Sequence, residues 1–225
     1  MSTLSNVETR RGEAIPPRVR LTPDDIPEAK STQKGVSVRY VPALNKNWYV
    51  FRASYGREDK AMEYIVEDGT YAYIPKRYVK QPTTGQTKRV LENLIPNLLF
   101  VYTTKEKAEE YIKATPDLSY LTYYYNHFAQ IEDGKNPPLT IACQEMENFI
   151  RATYSHNEHL RLIHEEQCHY KFKGGEKVII TDGPFTGVEG KVARVLGQQR
   201  IVVSLSGIGL VSTAYIPTAF IKAII

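Results

Sequence analysis

Residues 47–69 read NWYVFRASYGREDKAMEYIVEDG. The first seven, NWYVFRA, are an aromatic and β-branched run of the kind that forms a buried strand. Ser54 is placed to cap a helix, with Glu58 or Asp59 in the first turn. Ala61, Met62, Ile65 and Val66 follow at helical spacing, and Gly69 ends the run. A strand, a tight turn and an amphipathic helix in so short a span predict a mixed α and β domain.

The same alternation continues downstream. TYAYIP (70–75) reads as a second strand. KRYVKQPTTGQTKR (76–89) carries five cations and no acid around a Pro82/Gly85 turn, which predicts a protruding basic hairpin or loop. LIPNLLFVYTT (94–104) is a strongly apolar strand, KEKAEEYIKATP a short helix stopped by Pro116, and LSYLTYYYN (118–126) a further strand. The order β-α-β-β-α-β predicts a split-βαβ antiparallel sheet with helices on one face. A Pro-rich loop then leads into a helix carrying Met146, Phe149 and Ile150 on one side.

From Phe172 the pattern changes. KVIITDG, GKVARVLG, RIVVSLS and STAYIP are short alternating strands separated by glycines, the pattern of a small five-stranded barrel of the SH3 or Tudor type. Glycines from Gly174 and Gly175 onward interrupt every window, which argues against a helical alternative because each costs about 1 kcal/mol in a helix interior. The fold class read here is α+β: an antiparallel sheet with flanking helices, followed by a small all-β barrel. The divisions are a flexible basic arm at 1–46, the sheet-and-helix domain at 47–153, a linker at 154–170 and the barrel at 171–225.

Composition narrows the function classes. With 42% hydrophobic and 24% charged residues the chain is ordinary for a soluble globular protein. Its 16 tyrosines against 7 phenylalanines and 1 tryptophan favour strands and half-wet surfaces. No run approaches a membrane span, and the first thirty residues lack a secretory apolar block. Cys143 and Cys168 are too few for a disulfide framework. A cytoplasmic, membrane-free monomer is expected. The net charge of +4 is unevenly spread: the arm, with Arg10, Arg11, Arg18 and Arg20, is basic, the middle neutral, residues 145–168 acidic and the tail basic.

No enzyme chemistry emerges, and no cofactor is expected. Gly207 and Gly209 in SLSGIGLVS lack the third glycine and following helix of a phosphate loop. HNEHLRLIHEEQCHY (156–170) places His164 and Cys168 four apart near His156, His159 and His169, yet zinc-finger spacing is absent, so a solvated acidic linker without metal is expected. Binding chemistry remains. Lys76, Arg77, Lys80, Lys88 and Arg89 form a phosphate-attracting element. Tyr55, Arg57 and Lys60 at a helix start combine a stacking ring with cations. In TDGPFTGVEG (181–190), Phe185 either plugs a small core or waits for a partner.

Two modules together carry a recognisable signature. NWYVFRASYGRE, YAYIPKR and LIPNLLFVY resemble the N-terminal (NGN) domain of the NusG family, and FKGGEKVIITDGPFTGVEGKV resembles a KOW domain. In this order they look like a NusG-family transcription elongation factor over residues 47–225. Pro96–Asn97 is similar to the RfaH-type branch, and the tyrosine-rich domain resembles UpxY-type antiterminators of capsule operons. The resemblance implies that the NGN domain sits on the clamp helices of RNA polymerase, on a seat that maps to Trp48, Tyr49, Arg52, Pro96, Leu98 and Phe100. It also implies contact of Tyr55, Arg57 and Lys60 with non-template DNA or nascent RNA. A small-subunit ribosomal protein or Rho would dock on the KOW domain at Pro184, Phe185 and Thr186, with the ribosomal protein adding a strand at a barrel edge and Phe185 projecting from its turn. The competing reading is an RNA- or ribosome-binding KOW protein acting in assembly or translation.

Overall fold

The computed structural model describes residues 26–83, 86–127, 129, 136–164, 169–170 and 177–224. Arg10, Arg11, Arg18, Arg20, Gly85, Cys168, Phe172, Gly174 and Gly175 lie outside them. The first elements come from the segment expected to be a free arm. Ala29–Lys30 (β1) and Ser37–Val38 (β2) pair as an antiparallel hairpin. Tyr40 is fully buried, stacked on Trp48 at 5.5 Å and edge-on to Tyr71 and Tyr102. Residues 26–40 are therefore anchored on the core through Ile26, Ala29 and Tyr40, a correction to the expected flexible arm, while residues 41–46 are exposed. Those three side chains supply the apolar area that holds residues 26–40 there.

The central sheet follows the predicted order. Asn47–Ala53 (β3) precedes Glu58–Glu67 (α1) and Tyr71–Tyr73 (β4). Lys76–Thr83 (β5) and Gln86–Asn93 (β6) make a separate two-stranded hairpin. Leu98–Thr103 (β7), Lys105–Lys113 (α2), Leu121–Tyr123 (β8), Thr140–Ile141 (β9) and Cys143–Thr153 (α3) complete the unit. The strand order is β4-β7-β3-β8, with β9 also beside β3, and every pairing is antiparallel.

Helices cover both faces of this sheet. Side chains alternate along β3, so Val50, paired with Phe100, faces opposite to Tyr49. Phe149 of α3 packs on Phe100 with ring centroids 5.6 Å apart, and Thr153 hydrogen-bonds the Tyr73 hydroxyl at 2.7 Å. Tyr49 instead shares a groove with α2 residues Lys105, Glu109, Ile112 and Lys113. The expectation of a split-βαβ sheet stands, with α3 added on the face that α2 leaves open.

The C-terminal half is a second antiparallel sheet. Arg161–Ile163 (β10), His169–Tyr170 (β11), Lys177–Ile180 (β12), Glu189–Val195 (β13), Gln198–Leu205 (β14), Gly209–Tyr215 (β15) and Ile221–Ala223 (β16) run in the order β10-β15-β14-β13-β12-β16, with β11 on β13. Two of these strands, β10 and β11, come from the stretch expected to be linker. Leu160 beside them is fully buried.

The two halves share one interface, centred on α3. Asn148 donates to the Glu189 carbonyl and accepts from the Glu189 amide, both at 2.8 Å. Arg151 donates to the Gly187 carbonyl at 2.9 Å, and Glu145 accepts from the Ser206 amide. Leu139 presses on Gly207, where a Cβ would lie 2.7 Å from the leucine side chain and where φ is +75°. Only glycine fits that close approach. Phe149 and Thr153, four apart, face the central sheet, whereas Asn148 and Arg151, three apart, face the C-terminal sheet. One helix thus serves two cores.

Candidate functional site

The turn between β3 and α1 is built against local preference. Helix α1 starts at Glu58, later than the expected cap at Ser54, because Ser54–Gly56 form a tight 3-10 turn. Tyr55 there has φ 61° and ψ 35°, left-handed backbone that a non-glycine residue enters at a cost of about 1–3 kcal/mol. Asn97 opposite it has φ 63°. Its carbonyl accepts from the Ala53 amide at 2.8 Å, and its side-chain oxygen accepts from the Gly56 amide at 3.1 Å. Glu58 is buried and accepts from Asn93 Nδ2 at 2.8 Å and the Asn97 amide at 3.1 Å. This network fixes the turn and pushes Tyr55 out to 92% exposure.

Beside it, the Arg57 guanidinium lies 3.9 Å from the Tyr120 ring centroid and 5.6 Å from that of Tyr55. Its Nε donates to the Ser54 carbonyl at 3.1 Å. Burial pushes the Tyr120 phenol up while the Arg57 charge opposes it. Lys60 is exposed on the next turn. Tyr55 is therefore an exposed ring on a fixed backbone turn with Arg57 beside it, and Lys60 is exposed on the following helical turn. Glu58 and Asn97 are visible in the sequence as a first-turn acid and part of the Pro96–Asn97 pair, but their hydrogen bonds to this turn, like the Tyr120 contact, form across the fold.

The basic hairpin is less uniform than its sequence. Acids missing from 76–89 arrive from elsewhere: Asp59 pairs with Lys76, Glu158 with Lys80 at 3.4 Å, and Glu92 stands opposite Arg77 in the ladder. Arg77 turns inward and donates to the Leu160 carbonyl at 2.9 Å. Arg89 lies over the Tyr78 ring at 4.5 Å. Lys88 and Arg89 remain the exposed cations near the tip.

The residues first read as a polymerase seat do not form an exposed apolar surface. Trp48 and Phe100 are fully buried, and Leu98 and Tyr49 nearly so. Pro96 and Arg52 are exposed. Helix α3 and Tyr40 occupy the face on which Trp48 and Phe100 sit, which the sequence pattern did not reveal. The other face carries a groove of about 440 Å³ lined by Tyr49, Tyr123, Tyr125, Ile112 and Pro138, with Lys105, Glu109 and Lys113 along α2. Of its three tyrosines Tyr125 is exposed, and Tyr49 and Tyr123 are buried in its floor. Tyr123 sits between Tyr49 and Tyr125, with 6.3 Å between centroids on either side. Burial, with a smaller contribution from Glu109, pushes the Tyr123 phenol up to about 12, so it is a hydrogen-bond donor at neutral pH.

Phe185 also departs from expectation. It is 1% exposed and packs in the core, so the projecting ring is corrected to a plug. The turn that carries it is closed by Thr186, whose hydroxyl donates to the Gly183 carbonyl at 2.6 Å. Pro184 and Thr186 are exposed on either side. One side of β15 is paired with β10 through Arg161–Ser212, Leu162–Val211 and Ile163–Leu210.

Residues 46–150 match the NusG family model, described as transcription termination factor nusG. This stretch, a little under half of the chain, is similar to that family. No curated protein matches the chain. The NusG match takes in the Tyr55 turn, the basic hairpin and the tyrosine groove, and ends within α3. Among the described residues, no helix is long and apolar enough to cross a membrane, and no three His, Cys, Asp or Glu side chains converge as a metal site.

Proposed function

We propose that this protein is an operon-specific transcription elongation and antitermination factor, of the kind that serves polysaccharide biosynthesis operons. It engages the clamp helices of RNA polymerase through residues 47–153, suppresses pausing or termination, and recruits a ribosomal small-subunit protein or Rho through a KOW module at 171–225. The NusG match over residues 46–150 carries this reading.

Three features support the parts. Tyr55, exposed on a fixed turn beside Arg57 and near in sequence to exposed Lys60, offers a stacking ring with cations for non-template DNA or nascent RNA. Lys88 and Arg89 on the hairpin add phosphate attraction. The tyrosine groove presents the exposed Tyr125 ring as an anchor for a protein partner, with Tyr123 and Tyr49 buried beneath it. In the C-terminal half, exposed Pro184 and Thr186 are what a partner of that turn meets first.

Retention of purified RNA polymerase by the immobilised protein, followed by a pausing assay, tests the proposal. Wild type should hold polymerase and shorten pauses, and Tyr125→Ala should weaken both. A wild-type protein that neither holds polymerase nor alters pausing overturns the reading.

A further inference from the structure

Three arginines from separate elements meet at the junction of hairpin, connector and C-terminal sheet. Arg77 of β5, Arg161 of β10 and Arg200 of β14 all hydrogen-bond the same short stretch of backbone. Arg77 Nη1 and Arg161 Nη1 share the Leu160 carbonyl at 2.9 and 2.8 Å. Arg161 Nη1 also donates to the Glu158 carbonyl at 2.6 Å. Arg200 Nη1 donates to the carbonyls of His159 at 2.9 Å and Thr213 at 3.1 Å, and its Nη2 to Gln198 Oε1 at 3.1 Å. Three consecutive carbonyls thus draw three guanidiniums into one place.

These acceptors satisfy only part of what the arginines offer. Each guanidinium carries five N–H donors in a planar fork. Arg200 is 5% exposed, and its Nε, like that of Arg77, is buried without a protein acceptor. Carbonyl oxygens are dipoles and cancel no net charge. Among the described residues the nearby carboxylates are Glu92, opposite Arg77 in the ladder and bonded by Gln81, and Glu158, which is shared with Lys80 at 3.4 Å and lies 4.0 Å from His159. Burial, then the Arg77 and Arg200 charges, push the Arg161 guanidinium below its ordinary value, and Glu158 offsets this only in part. Among the described residues, two carboxylates stand against these three guanidiniums and Lys80, which leaves positive charge in a partly buried place that an anion can offset.

We propose that Arg77, Arg161 and Arg200 form a binding site for a phosphate group at the junction of the two halves. The forked donors of three guanidiniums suit a tetrahedral, multiply charged oxyanion better than a single carboxylate. The phosphate is either a free ion or part of a nucleic-acid backbone. Its binding ties β5, β10 and β14 together and so stabilises the folded chain. The site owes nothing to the NusG reading, and its test is separate from polymerase binding.

The test is calorimetric titration of the full chain with inorganic phosphate, with sodium chloride at equal ionic strength as control. Wild type should bind phosphate saturably and gain thermal stability that chloride does not give. Arg161→Gln and Arg77→Gln should each weaken phosphate binding roughly tenfold or more, the scale of losing one charge-assisted contact. An oligothymidylate that displaces the phosphate identifies the natural ligand as a nucleic-acid backbone, and failure to displace it identifies a free phosphate. No saturable phosphate binding by wild type, equal stabilisation by chloride, or undiminished binding in both variants overturns the proposal.

Discussion

Replacing Phe185 by alanine is the sharpest check on how the C-terminal half is packed. The ring is 1% exposed in a turn whose neighbours Pro184 and Thr186 face water. Burying a phenylalanine side chain contributes about 1.5–3 kcal/mol from area alone. The cavity left behind raises the expected loss to about 3–5 kcal/mol for Phe185→Ala. In a chain of this size each kcal/mol lowers the melting temperature by about 2–4 °C, so a fall of roughly 6–20 °C is expected. Urea unfolding followed by far-ultraviolet circular dichroism measures the loss. The single tryptophan, Trp48, is buried in the central sheet far along the chain from the mutation, so its fluorescence reports separately on that half. Because α3 joins both cores, the two probes should shift together. Phe185→Leu, which keeps most of the volume, should lose much less. An unchanged midpoint for Phe185→Ala refutes the buried plug and returns the ring to the surface.

Two other outcomes follow from the N-terminal half. Tyr55→Ala should leave the melting temperature nearly unchanged, because the ring is exposed, while weakening a single-stranded oligonucleotide by the roughly 1–3 kcal/mol of one stacked base; fluorescence anisotropy reads this, and equal affinity removes Tyr55 from the interface. For Glu63, burial pushes the carboxyl up, but hydrogen bonds from Ser31 and Thr32 outweigh it and hold the group below its ordinary 4.5. Bonds from Lys34 and then Ser31 similarly depress Glu67. A depressed carboxyl contributes stability above its unfolded value and loses it as pH falls through the folded one. Hydrogen exchange in residues 29–38 should therefore accelerate as pH falls below 4.5, after correction for intrinsic rates, and constant protection to about pH 3 contradicts the anchoring of β1 and β2 on α1.

Much of the central sheet was legible because its signals are local. The run NWYVFRA, the helical spacing of Ala61, Ile65 and Val66, and the apolar LLFVYT each specify an element within a few residues. Their order then limits the topology. The glycine-interrupted alternation after Lys177 likewise predicts strands, and strands are present. The candidate site was only partly legible. Tyr55, Arg57 and Lys60 stand out as a ring beside cations, but the left-handed turn that exposes the ring depends on Asn97 and Glu58 across the fold.

The corrections share one cause. An aromatic residue in a strand carries the same sequence signal whether its face meets solvent or another element. Trp48, Phe100 and Phe185 could each have been surfaces, and α3, Tyr40 and the C-terminal core decided that they are not. The fourteen acid-free residues of the hairpin similarly find Asp59 and Glu158 only after folding. Sequence by itself determined the main elements of both halves, their order and the chemistry available, because propensity and periodicity act over neighbours. It left out the short strands β1 and β2, which pair with each other, and β10 and β11, which form by pairing across the fold. The tertiary structure alone decided which faces are covered and which charges are paired, because burial and Coulomb energy depend on distance in space, whatever the separation along the chain.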